Sequence, residues 1–207
     1  MKRFLTILLS LMLILTSLSA AIAEDIEEDS IVTADQLAAE MSSMDADTAF
    51  VSYAKACAVV VSLMSNQAYN VATGAYNYGK PELVKALMLS DDVWAVNQVF
   101  YRNSKDHTLT DLNNAVIGYK NLLQYKAILD ALIAEKPEVP EKYKHVDTLI
   151  TTSQSKLNEC LDTFTKWADG TDDSTAMKMW GKVEPLYWDD SISTLIGLNY
   201  LDGRLSE

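Results

Sequence analysis

The chain has 207 residues, 29 acidic against 17 basic, a net charge of −12 and 49% apolar composition. That charge disfavours nucleic acid and anionic membrane surfaces as partners, because phosphates recruit basic patches. The length and the apolar share suit one domain with a real core.

Residues 1–23 read as a secretory signal peptide. Lys2 and Arg3 precede a short Leu- and Ile-rich core, and Ala21-Ile22-Ala23 fits the small-x-small cleavage pattern. No Cys follows the core, which argues against a lipid anchor. Cleavage removes two basic residues and no acidic one, so 15 basic residues (17 less two) face 29 acidic ones, a net −14. The expectation is a secreted or extracytoplasmic protein with no stable membrane insertion after cleavage.

Residues 24–45 form an acidic leader and a short helix. Glu24 to Ser30 carries the acidic run, and Thr33-Ala34-Asp35-Gln36 is a capping box that starts a helix to about Met44. Residues 46–169 are expected to form the core of the fold, an up-down bundle of four long helices. The first of these organises the rest. Phe50, Tyr53, Cys57, Val60, Met64, Gln67, Val71, Gly74 and Tyr78 step by three and four, which keeps them on one helix face. The opposite face carries Ala54, Ala58, Val61, Ala68 and Ala72, and no residue from Ala56 to Gly79 is charged. A helix apolar nearly all round is buried among neighbours or lies in lipid. Lys55 and Ser65-Asn66-Gln67 favour the buried helix.

Gly79-Lys80-Pro81 ends that helix and opens the next, since Gly is favoured past a helix end and Pro in a first turn. The spacing predicts the second helix to about Asn103 through Leu83, Leu87, Trp94 and Tyr101, with a kink or split at Ser90-Asp91-Asp92. A third helix is expected from Thr110 to Glu135, closed by Pro137 and Pro140, which lack the N–H a helix interior needs. The fourth spans Glu141 to Ala168 and is stopped by Asp169-Gly170. Residues 170–207 form a C-terminal helical tail packed on the bundle. Its two short helices cover roughly 173–183, stopping before Pro185, and 190–201. The fold class is all-α.

If four long helices alternate up and down, the first and fourth are antiparallel neighbours. Cys57 and Cys160 then lie at one level and form a disulfide candidate, as an exported protein permits. Two buried free thiols are the alternative.

No stretch carries a catalytic motif. A nucleophilic triad needs a His near its nucleophile, and His107 and His145 are the only histidines. Glu141 and His145 do not make the Glu-x-x-His pattern of di-iron bundles, and the acidic loop 169–173 lacks the alternating ligands of a calcium loop. No metal and no cofactor are expected. Two residue sets remain. Tyr69, Tyr76, Trp94, Tyr119 and Tyr125 are candidates to line a small-ligand cavity. Met177, Met179, Trp180, Tyr187 and Trp188 are candidates for a partner-binding patch, or for a tail folded over the bundle's open end. The leading function is a non-enzymatic exported protein that binds a macromolecular or cell-envelope partner. A bundle holding a small ligand comes second, and an envelope hydrolase third.

Overall fold

The structure is a computed structural model and describes residues 34–92, 98 and 109–200. The signal peptide, the acidic leader, Thr33 of the capping box, Trp94, Tyr101 and His107 lie outside the described residues. Within them the chain is all-helical, as its periodicity requires. The α-helices are α1 (Ala34–Met41), α2 (Ala46–Tyr78), α3 (Pro81–Leu89), α4 (Leu109–Ala134), α5 (Lys144–Ala168), α6 (Ala176–Tyr187) and α7 (Asp190–Tyr200). One 3₁₀ turn, Glu141–Tyr143, leads into α5.

The helix ends follow local chemistry. Asp45 caps α2 by accepting a hydrogen bond from the Thr48 N–H at 3.0 Å. Gly79 ends α2 in the left-handed region, at φ 72°, where a side chain would be strained. Pro81 opens α3 in its first turn, where no N–H is needed. Thr175 caps α6 through the Lys178 N–H.

One break falls where it was expected, and two ends differ. Helix α3 stops at Leu89: the Ser90 backbone is extended, and the Ser90 hydroxyl accepts from the Asp92 N–H. The helix after Pro81 is therefore split at Ser90-Asp91-Asp92, as the interrupted apolar pattern there indicated. The fourth begins with a tight 3₁₀ turn after Pro140. Helix α6 does not stop before Pro185 but runs through it to Tyr187. Pro185 sits in the last turn, and both it and Gly181, the residue whose carbonyl it leaves unbonded, are exposed to water.

Helix α2 is the axis of the molecule. It is long and apolar enough to cross a membrane by length and composition, yet most of that stretch is buried by the rest of the chain. Helices α4, α5, α6 and α7 all pack against it. Its approach to α4 is close because two glycines face the seam. A methyl group on Gly74 would lie 2.4 Å from the Asp111 carbonyl oxygen, and one on Gly118 would lie 3.0 Å from a Val71 methyl. Moving down α2 from Gly74 to Gln67 moves up α4 from Asp111 to Gly118, so the two helices are antiparallel.

Helices α4 and α5 are antiparallel as well. Asp130 accepts from the Gln154 amide at 2.8 Å near one end, and the Tyr119 and Thr165 hydroxyls meet at 2.9 Å near the other. It follows that α2 and α5 run parallel. Their N-terminal ends meet directly: Lys142 pairs with Asp47, and the Phe50 and Tyr143 rings stack at 5.3 Å. This corrects the antiparallel arrangement expected of the first and last long helices. The reason is one of parity. The described long helices are three, running up, down and up, and α3 is a nine-residue helix beside α4 and α5.

The disulfide candidate falls with it. Cys57 and Cys160 are both free and buried. Cys57 lies beside Tyr53 and within electrostatic reach of Asp147 at the start of α5, whereas Cys160 is 13 residues further along that helix, about 20 Å at 1.5 Å per residue.

The core is continuous from Met41 through Leu195. Its largest buried side chain, Trp167, donates its indole N–H to the Ser174 carbonyl at 2.9 Å, which ties the loop before α6 to the end of α5. Lys85 of α3 stands 5.0 Å above the same ring.

Candidate functional site

Helix α6 lies antiparallel along α2, and the aromatic residues of both meet there. Tyr69 and Tyr76 are seven apart on α2, as are Trp180 and Tyr187 on α6, so each pair lies on one helix face. Tyr76 meets Trp180 with ring centroids 4.9 Å apart. One repeat along, Tyr69 meets Tyr187 edge to face at 5.9 Å and Trp188 at 6.4 Å. Rings arranged edge to face gain from the opposite signs of face and rim.

Backbone and polar bonds hold this ladder in place. Trp180 donates its indole N–H to the Tyr187 hydroxyl at 3.3 Å. Ser65 on α2 donates to the Tyr187 carbonyl at 3.1 Å. The Trp188 N–H closes the end of α6 onto Glu184 and Leu186. Burial pushes the Tyr187 phenol above its ordinary pKa, so it stays a neutral hydrogen-bonding group.

The outer rungs face water. Trp188 is 61% exposed, Tyr69 45%, Tyr76 41%, and Met177 67%. Large aromatic side chains grouped at a surface mark interaction sites, whereas scattered ones need no explanation.

The two candidate sets are therefore redistributed. Of the small-ligand set, Tyr69 and Tyr76 lie on this surface, while Tyr119 and Tyr125 are buried with α4 in the core. Tyr119 is bonded to Thr165 there, and burial raises the Tyr125 pKa. Trp94 lies outside the described residues. Of the partner-binding set, Trp188 and Met177 are exposed and Trp180 is half-buried, but Met179 and Tyr187 are buried and anchor α6. The heptad match between Tyr69/Tyr76 and Trp180/Tyr187 was a signal in the sequence. What it lacked was the pairing of α2 with α6.

Several of the other charged groups are occupied with structure. Asp169 accepts from the Thr171 N–H, and Asp172 accepts from the Ser174 N–H and from Lys182. These bonds hold both carboxyls below the ordinary aspartate pKa. Glu141 pairs with Lys144 at 2.6 Å, and His145 beside them is exposed. Among the described residues no three His, Cys, Asp or Glu side chains converge as metal ligands do. Burial pushes both thiols up to about 12, where the nucleophilic thiolate is scarce at neutral pH.

No family model, no curated protein and no solved structure matches the chain.

Proposed function

We propose that the chain is an exported, non-enzymatic helical protein that binds a macromolecular or cell-envelope partner through the aromatic seam between α2 and α6. The observation that carries this reading is the braced and exposed ladder of Tyr69, Tyr76, Trp180 and Trp188. Tryptophan and tyrosine are the side chains that concentrate binding energy at protein surfaces. Rings already held by their neighbours lose little freedom when a partner arrives. The acidic surface elsewhere keeps nucleic acid and anionic lipid away.

Cosedimentation tests it. Mature protein is mixed with isolated cell walls, washed envelope membranes, or neutral and anionic lipid vesicles. Sedimentation with walls or envelope membranes is expected, weakened about tenfold by Trp188→Ala or Tyr69→Ala. Equal sedimentation of wild type and both variants, or none with any fraction, would overturn the reading.

A further inference from the structure

The exposed face of α2 beside the ladder has a chemistry of its own. Asn66, Tyr69, Asn70, Thr73, Tyr76 and Asn77 form one stripe about 120° wide at 100° per residue, with the tyrosines on the α6 edge and the amides on the other. Every side chain in it is uncharged, in a protein of net charge −12. The stripe contains a repeat: Tyr69-Asn70 and Tyr76-Asn77 are the same ring-and-amide pair, seven residues apart.

We infer that this face binds an extended, uncharged glycan chain, an inference that rests on the aromatic seam being the binding surface. A sugar ring presents two kinds of surface. Its C–H face packs on an aromatic ring, and its rim carries hydroxyls that both donate and accept. An asparagine amide also both donates and accepts, and it does so without charge. Each Tyr-Asn unit supplies one ring on one edge of the stripe and one amide on the other, about 100° around the helix. The two units are about 10.5 Å apart along the helix at 1.5 Å per residue, close to the length of two sugar rings in an extended chain.

The charges nearby fit the same ligand. Lys182 of α6 is paired with Asp172, and the exposed Lys178 and Glu184 are of opposite sign. The stripe itself offers no charged side chain to pair with a charged ligand. The rings are set in advance. Trp180 braces Tyr76, and Trp188 with Tyr187 braces Tyr69, so a stacked sugar costs little ordering.

The test uses the mature protein and two defined probes, cellohexaose and chitohexaose, read by tryptophan fluorescence and by calorimetry. Saturable binding of at least one is expected, with the disaccharide much weaker because it spans a single Tyr-Asn unit. Tyr76→Ala, and separately the pair Asn70→Ala with Asn77→Ala, should each weaken binding about tenfold. Leu123→Ala, an exposed change on α4, should leave it unchanged. All these side chains are exposed or half-buried, so every variant should stay folded, with Tyr76→Ala losing no more than its contact with Trp180. If neither hexasaccharide binds while Tyr76→Ala still lowers sedimentation with walls or membranes, the glycan inference is wrong and the partner surface stands. If neither measurement responds, both fall. A concentration-dependent dimer that Tyr76→Ala dissolves, without glycan binding, would assign the stripe to a second copy instead. Hexasaccharide binding that survives every variant would also overturn it.

Discussion

At the scale of single residues, the two cysteines are free thiols, the alternative to a disulfide, inside a chain read as exported. Cys57 is enclosed with the Tyr53 phenol, and the Cys160 thiol lies 3.8 Å from the Val183 carbonyl. Burial favours the neutral form of each and raises its pKa from 9.0 to about 12. In the unfolded chain the thiols ionise near 9, so above that pH the folded state binds more protons than the unfolded one. Stability contributed by the neutral thiols is therefore complete below about pH 9 and is lost as pH climbs towards 12. Urea midpoints between pH 8 and 11 should fall, and Cys57→Ala with Cys160→Ala should flatten that fall. An unchanged slope in the double variant would show that the thiols are not its cause. Ellman's reagent should find both thiols only after unfolding.

At the scale of elements, the α2–α4 seam depends on glycine for space rather than for backbone freedom. The atoms nearest a methyl on Gly74 are backbone, the Asp111 oxygen at 2.4 Å and the Ala115 nitrogen at 2.7 Å. Neither can rotate away, so Gly74→Ala must push the helices apart and should cost about 1–3 kcal/mol, as overpacking does. Gly181 in α6 has open space around it, and Gly181→Ala should stabilise by about 0.5–1 kcal/mol through helix propensity. Chemical denaturation of the two variants checks the contrast. If Gly74→Ala is as stable as wild type, the seam is looser than described.

At the scale of the whole molecule, the parallel course of α2 and α5 is the defining choice. It places Asp47 beside Lys142 and puts the two cysteines at different levels. Spin labels at positions 47 and 142, in a cysteine-free background, should lie close together. Labels at 47 and 166 should be separated by about 36 Å more along the axis, since 24 helical residues intervene. An antiparallel arrangement would reverse the two distances, so pulsed electron paramagnetic resonance decides between them. The same topology brings α6 back along α2 and builds the exposed ladder.

What the sequence determined by itself was local. The apolar steps of three and four marked α2, and Gly79 and Pro81 marked where it ends and α3 begins, because period and capping act within a few residues. The uncharged run from Ala56 to Gly79 identified α2 as the central helix for the same reason: a helix apolar on every face needs neighbours on every face. Direction was not legible. It turned on whether the stretch after Pro81 formed one long helix or stopped at Leu89, and that parity decides which ends of distant helices meet. The aromatic residues show the same division. Their seven-residue spacing was visible on each helix, but a helix face says nothing about which other face it meets. Only tertiary packing joined Tyr69 and Tyr76 to Trp180 and Trp188, and sent Tyr119, Tyr125, Met179 and Tyr187 into the core.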